Sequence, residues 1–113
     1  MGLYIGLDIG TTTLSAVILD ARTGDLVCSL TLPHRADSTT PQDKARGRAE
    51  LDLAATQELA VRALARVVVQ SGDKAREISG LGVTGQMHGV GFLDASGRPL
   101  GPAITWQDQR ANE

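Results

Sequence analysis

Gly6-Leu7-Asp8-Ile9-Gly10-Thr11-Thr12-Thr13, near the start of the 113-residue sequence, is the stretch that decides the fold. It ends an apolar run that begins at Leu3, and it leads directly into a second apolar run, Leu14 to Leu19. Gly10 allows the chain to turn sharply between the two runs. The pattern therefore predicts two strands joined by a tight hairpin whose turn is built from glycine and threonine.

The segments that follow extend this hairpin. A turn at Asp20 to Gly24 precedes a third strand, Leu26 to Leu32, so we expect three consecutive strands in an antiparallel meander. Leu51 to Gln70 carries apolar residues at helical spacing, with Asp52 as the expected N-cap and Ser71-Gly72 as the stop signal. The polar stretch Pro33 to Gly47 is predicted to be a surface loop.

The remainder of the chain completes an α/β layout. Ile78 to Val83 follows the helix and should lie parallel to an earlier strand. Gly89 to Leu93 is predicted as a fifth strand and Ala103 to Trp106 as a last extended segment, which gives a mixed sheet of the order β-β-β-α-β-β. The turns after Leu19 and Leu93 should each place a glycine at positive φ.

One helix can cover only one face of such a sheet. We expect the other face to carry apolar side chains as well, and therefore to associate with another copy of the chain or with a missing segment. The sequence ends at Gln109-Arg110-Ala111-Asn112-Glu113 without a further helix, which suggests a truncated product.

Composition narrows the classes of partner. The formal net charge is −2, which argues against nucleic acid and against an anionic membrane, since both require a basic surface. No apolar run approaches the roughly 20 residues of a membrane span. Cys28 is the only cysteine, so an internal disulfide and a zinc cluster are both excluded, and a reducing cytoplasm is the expected compartment.

The turn after the first strand is a candidate phosphate site. Backbone N–H groups and hydroxyls of Gly10, Thr11, Thr12 and Thr13 can cradle phosphate oxygens, and the Asp8 carboxylate can hold Mg²⁺, usually through water. Phosphoryl transfer depends mainly on positioning and charge neutralisation, so ATP and Mg²⁺ are the ligands these groups suit. The alternative is an ordinary hairpin whose turn happens to be rich in glycine and threonine.

Two later segments offer groups suited to a sugar. The first follows the predicted parallel strand, where α/β sheets place ligands, and presents an amide and an imidazole to hydroxyls beside a methionine wall. The second presents an indole face to the C–H surface of a sugar, next to a carboxylate and a guanidinium. Taken singly, the histidine would be structural and the tryptophan a core residue. The candidate substrate-binding residues are Gln86, Met87, His88, Trp106, Asp108 and Arg110.

Together these segments resemble the N-terminal part of the FGGY carbohydrate kinases, within the sugar kinase, Hsp70 and actin superfamily. Gln86-Met87-His88-Gly89 is similar to the xylulokinase and sedoheptulokinase branch, because glycerol kinases have Arg and Glu in place of Met87 and His88. Thr105-Trp106-Gln107-Asp108 looks closest to sedoheptulokinase, and Glu50-Leu51-Asp52 is similar to the family's Glu-Gln-Asp.

The resemblance covers essentially the whole chain, residues 1–113, as the first part of the family's domain I. It implies a ribonuclease-H-like half-domain of the actin-like ATPase type and ATP-dependent phosphorylation of a ketose such as xylulose or sedoheptulose. It also implies that the catalytic base and the adenosine site lie beyond position 113.

Other interpretations stay open. A non-catalytic fragment would only self-associate or bind ligand weakly. An actin- or Hsp70-like ATPase would explain the turn after Asp8, but it gives no reason for the two later segments. The run Gly80-Leu81-Gly82-Val83-Thr84-Gly85 matches G-x-G-x-x-G, but it follows a helix and does not open one, so dinucleotide binding is rejected. Cys28 and His34 are interpreted as a small strand residue and a loop-surface residue.

Overall fold

The computed structural model describes residues 2–112, which form two compact units. One unit runs through His34 and resumes at Glu58–Gly85, and the other comprises Arg35–Gln57 and the chain from Gln86 onward. The strands, in chain order, are β1 (Leu3–Ile9), β2 (Thr13–Asp20), β3 (Asp25–Pro33), β4 (Glu50–Leu51), β5 (Ile78–Gly85) and β6 (Ala103–Ile104). The α-helices are α1 (Pro41–Ala45) and α2 (Leu53–Ser71), and 3₁₀ helices span Gly72–Glu77 and Arg110–Asn112.

The first unit is built on a sheet of order β3-β2-β1-β5. Strand β1 is antiparallel to β2, and β2 is antiparallel to β3, so the predicted meander is confirmed. Strand β5 pairs with β1 in parallel, with Leu7 beside Val83 and Asp8 beside Thr84. The predicted parallel strand is therefore confirmed too. Gly24 and Gly97 both have φ of +81°, as expected for the two turns.

The core of this unit lies between the sheet and α2. Alternate residues of β1 and alternate residues of β2 are buried, because a strand points every second side chain to the same face. Each fully buried aliphatic side chain contributes roughly 1.5–3 kcal/mol. The residues of this buried cluster are Leu3, Ile5, Leu7, Ala16, Ile18, Ala63 and Val67.

Helix α2 begins and ends at the signals in the sequence. The Asp52 carboxylate accepts a hydrogen bond from the Ala55 N–H at 2.9 Å, which is the geometry of an N-cap. At the other end the Ser71 hydroxyl donates to the Val68 carbonyl at 2.6 Å, and Gly72 follows with φ of +60°. The predicted start and stop are therefore confirmed. Within residues 2–112, no helix is both long enough and apolar enough to cross a membrane.

In the second unit the structure differs from three sequence-based expectations. The predicted fifth strand at 89–93 is wrong: only Val90 and Leu93 pair, in isolated bridges, and the main sheet has four strands. Gly89 and Gly91 interrupt this run, and glycine weakens a strand because it has no side chain to pack. Strand β6 pairs instead with β4, part of which was predicted to belong to the helix. The predicted loop also contains α1.

The start of helix α1 has a capping residue that was not used in the sequence-based prediction. The Thr40 hydroxyl oxygen accepts a hydrogen bond from the Asp43 N–H at 3.2 Å and caps the helix, and Pro41 follows directly at its first position. Thr40-Pro41-Gln42-Asp43 thus has the residue types of a helix start, in a helix too short for periodicity to reveal.

The sheet face away from α2 carries apolar side chains beside a pair of glycines. Its larger apolar side chains are Tyr4, Val17, Leu19 and Leu26, of which Leu26 is 62 %, Tyr4 45 % and Leu19 38 % exposed. Gly6 and Gly82 pair side by side in the middle of this face and add no side chain. Self-association through it stays a prediction.

Candidate functional site

A row of polar side chains crosses the sheet at the end of β1. Asp8 pairs with Thr84 of β5 on one side and with Ser15 of β2 on the other, and Ser15 pairs with Thr31 of β3. Because paired residues project from the same face, all four lie on the face away from α2. The Ser15 and Thr31 hydroxyls are hydrogen-bonded at 3.2 Å.

An open groove of about 400 Å³ runs along this row. It stays open because its centre is formed by glycine: a Cβ atom at Gly82 would meet nothing within 4 Å. Asp8 is exposed in the groove and supplies the only carboxylate among the described residues that line it. The described residues contain no group of three or more metal-ligating side chains. This donor set fits Mg²⁺, which keeps most of its water and needs only one or two carboxylates.

The turn between β1 and β2 is closed by a hydrogen bond from the Gly10 N–H to the Thr13 carbonyl at 2.9 Å. A Cβ atom at Gly10 would lie 2.8 Å from that carbonyl oxygen, so the close approach requires glycine here. Thr11, Thr12 and Thr13 are exposed at the end of the hairpin. The predicted turn is therefore confirmed as a structure, and its binding of phosphate remains a prediction.

His34 is a residue that the sequence analysis assigned wrongly to the loop surface. It is half-buried against the turn, where its backbone N–H donates to the Thr12 carbonyl at 2.8 Å. Its ring Nδ1 lies 2.7 Å from the Gly10 carbonyl oxygen. The strand register could have located His34. Thr13 pairs with Pro33 in the antiparallel meander, so His34, which follows Pro33, lies beside Thr12, which precedes Thr13.

The two candidate sugar segments meet in the second unit. Val90 and Ile104 exchange backbone hydrogen bonds of 2.9 and 2.8 Å, which brings the chain before Val90 next to the chain after Ile104. Met87 is 72 % and Trp106 is 53 % exposed, so both offer apolar surface to a ligand. The structure thus brings together the segments that the sequence paired, and their roles in binding remain predictions.

His88 has φ of +61°, the left-handed region that favours glycine. Such a backbone conformation costs of the order of 1 kcal/mol, and it is retained where the surrounding structure fixes it, often at functional sites. The strain supports a role for the segment that contains His88.

Asp108 and Arg110 belong to a hydrogen-bonded network around the buried Asp108 carboxylate. The Asp108 carboxylate accepts hydrogen bonds from the Ala49 N–H at 2.7 Å and from the Arg110 N–H, Nε and Nη2 at 2.7–2.9 Å. Arg110 Nη2 also donates to Glu50 at 2.7 Å. The hydrogen bonds from the Arg110 side chain, with that from Ala49, hold the pKa of Asp108 well below its usual range.

The Asp108 side chain is only 1 % exposed, so it presents no surface to a sugar hydroxyl. Its contacts favour a positioning role, in which it holds the segment after Trp106 against β4. These contacts could not be predicted from the sequence, because Ala49 and Glu50 are about 60 residues away along the chain. Arg110 retains 29 % exposure and can still meet a ligand.

Comparison with known proteins identifies the family to which this arrangement is similar. The profile of the FGGY family of carbohydrate kinases, N-terminal domain, matches residues 3–113. The chain is 36 % identical over 109 residues to a xylulose kinase of Streptomyces coelicolor, and 35 % identical over 111 residues to one of Klebsiella pneumoniae. These alignments cover 96 % and 98 % of this chain but only 20 % and 21 % of the relatives.

Solved structures agree in fold. The crystal structure of xylulose kinase from Rhodospirillum rubrum matches 96 % of this chain and 21 % of its own, with 34 % identity and a TM-score of 0.80. A Brucella ovis structure titled as a xyloylose kinase matches 96 % of this chain and 22 % of its own, with 30 % identity and a TM-score of 0.82. The predicted ribonuclease-H-like, actin-like fold class is thereby confirmed. The chain spans about a fifth of these relatives, and it belongs to the FGGY family of carbohydrate kinases.

Proposed function

We propose that the protein carrying this chain transfers the γ-phosphoryl group of ATP to a hydroxyl of a ketose, with xylulose as the first candidate. The observation that carries the proposal is the placement of the exposed Asp8 carboxylate directly before the Gly10–Thr13 turn. A carboxylate beside a turn rich in N–H groups and hydroxyls supplies the positioning and charge neutralisation that phosphoryl transfer requires.

In this proposal the residues of the first unit serve ATP and Mg²⁺. The turn amides and the hydroxyls of Thr11, Thr12 and Thr13 bind phosphate oxygens, and Asp8 holds Mg²⁺ through water. The ion, when bound, neutralises phosphate charge. None of the described residues that line the groove is basic, so Asp8 has no cationic side chain beside it there that would compete with the ion.

The residues of the second unit serve the sugar. The two relatives at 36 % and 35 % identity, which match nearly the whole chain, are xylulose kinases, which supports a ketose over glycerol. Gln86 and His88 would bind hydroxyls, Met87 and Trp106 would pack on C–H surfaces, and Arg110 would add a further donor. The catalytic base and the adenosine site would lie beyond position 113. We place the protein in the cytoplasm, without nucleic acid or membrane as partner.

Asp8→Asn tests the assignment, because it removes the charge and keeps the shape. In the protein as its gene encodes it, kcat should fall at least about a hundredfold, the usual effect of losing one electrostatic contact at the transition state. Affinity for xylulose should stay within about twofold, because Asp8 is assigned to metal and phosphate. A coupled assay of ADP release measures the first, and calorimetric titration the second.

Asp73→Asn is the matched control, since Asp73 is exposed in the 3₁₀ helix Gly72–Glu77. It should leave both constants unchanged. Wild-type kcat in Asp8→Asn would refute the role of Asp8. A wild-type protein that phosphorylates no ketose would refute the proposed function itself.

A further inference from the structure

His34 contacts the turn from the strand beside it. Two hydrogen bonds of His34 reach different carbonyl groups of the turn: the backbone N–H reaches Thr12 at 2.8 Å, and ring Nδ1 reaches Gly10 at 2.7 Å. A carbonyl oxygen can only accept, so Nδ1 must carry the proton and donate. The backbone bond survives any substitution of His34 except proline, and the ring bond depends on the imidazole alone.

The ring bond fixes the orientation of a peptide group. Every peptide bond in the described chain is trans, so a carbonyl oxygen and the N–H of the following residue point in opposite directions. Holding the Gly10 carbonyl toward His34 therefore directs the Thr11 N–H away from His34. Gly10 has the widest backbone freedom of any residue type, so this peptide is the one in the turn that rotates most easily.

Orientation matters here because the two ends of a peptide have opposite polarity. A phosphate is attracted by an N–H and repelled by a carbonyl oxygen. If the Gly10–Thr11 peptide rotated by half a turn, the carbonyl oxygen would replace the N–H on the side away from His34. A donor that grips the Gly10 carbonyl prevents this reversal.

We propose that His34 is a positioning residue of the phosphate turn, which holds the Gly10–Thr11 peptide in its anion-binding orientation through an Nδ1–H···O=C hydrogen bond. This inference rests on the proposed function, because it takes the anion to be the phosphate of ATP. His34 itself does not touch the nucleotide or the sugar. In this proposal it acts through the Gly10 carbonyl.

The test uses three substitutions in the protein as its gene encodes it. In asparagine the side-chain nitrogen is bonded to Cγ, as Nδ1 is in histidine, so His34→Asn keeps a donor at that position. His34→Gln moves the donor one atom further, and His34→Ala removes it. MgATP binding should weaken about three- to tenfold in the alanine and glutamine variants, the usual effect of one hydrogen bond. The asparagine variant should bind within about twofold of wild type, and xylulose affinity should not change in any variant.

A spectroscopic measurement separates this inference from the proposed function. Long-range ¹H–¹⁵N correlation of histidine-labelled protein should show a proton on Nδ1 of His34, and His34→Ala should shift the Thr11 amide signal more than His34→Asn does. A ring protonated only on Nε2 would overturn the inference, as would equal MgATP affinity in all variants. If the wild-type protein binds no MgATP, the proposed function fails and the nucleotide part of this inference fails with it. The hydrogen bond to Gly10 would then still stand or fall by the protonation of Nδ1.

Discussion

Replacing Gly10 with alanine separates the geometry of the phosphate turn from the stability of the fold. A Cβ atom at this position would lie 2.8 Å from the Thr13 carbonyl oxygen, a distance that real Cβ atoms essentially never show. The colliding atom belongs to the backbone, so the turn itself must open, by about half an ångström, before the contact becomes ordinary. The same oxygen accepts the 2.9 Å bond that closes the turn, and this opening takes that bond out of range.

The expected effects on stability and on binding differ in size. Loss of the closing bond costs about 0.5–1.5 kcal/mol. The reduced freedom of alanine in the unfolded chain stabilises a protein only where alanine fits without strain, so it gives no offset here. The free energy of unfolding should therefore fall by about 0.5–1.5 kcal/mol. A charge-assisted hydrogen bond to phosphate is stronger, about 1.5–3 kcal/mol, so displacing one turn amide should weaken MgATP binding about ten- to hundredfold.

Denaturant unfolding and calorimetric titration with MgATP measure the two quantities on the same protein. Gly101→Ala is the matched control, because a Cβ there would meet nothing within 4 Å and the backbone does not have positive φ. It should leave MgATP affinity unchanged. If Gly10→Ala binds MgATP like wild type, the turn does not hold phosphate. Equal losses in both variants would instead show a general effect of replacing glycine.

Three further predictions follow from the second unit and from the chain as a whole. His88→Ala should weaken ketose binding by about 1–3 kcal/mol, and Trp106→Ala should weaken it through lost packing, both measured by titration; unchanged affinity in both would make these segments structural. The depressed pKa of Asp108 means that its carboxylate stabilises the fold above the pKa it has when unfolded, near 4. This stability is lost as the pH falls below that value, so acid unfolding of Asp108→Asn should depend less on pH between about 4 and 2 than that of wild type; identical profiles would contradict the assignment. Finally, residues 1–113 alone should show no ketose-dependent ADP release in the coupled assay. They should also self-associate through the sheet face away from α2, which light scattering measures. A monomer that releases ADP with a ketose would refute both statements.

Segments that are long or bounded by glycine turns were predictable from the sequence, because the patterns that indicate them are local. Strands β1, β2 and β3 were visible as apolar runs separated by glycine turns, and α2 as a periodic stripe between Asp52 and Gly72. The parallel pairing of β5 with β1 followed from the helix between them. Alternation along a strand and periodicity along a helix require no knowledge of distant partners.

Short segments were not predictable in this way. Strands β4 and β6 have two residues each, which is too few for any period to show, and they exist because they pair with each other across about 50 positions of sequence. The run at 89–93 looked like a strand in composition, but only Val90 and Leu93 form β-bridges there.

For the candidate site, the sequence by itself determined that Asp8 ends a strand directly before a glycine and threonine turn, since both features lie within a few consecutive residues. Only the tertiary structure decided that the Asp108 carboxylate is enclosed by Ala49 and Arg110, and that His34 reaches the Gly10 carbonyl. Hydrogen bonds of this kind join residues that are far apart along the chain, and their distances are set by strand register and packing. A side chain's type limits which bonds it can make, whereas the fold selects which of them it does make.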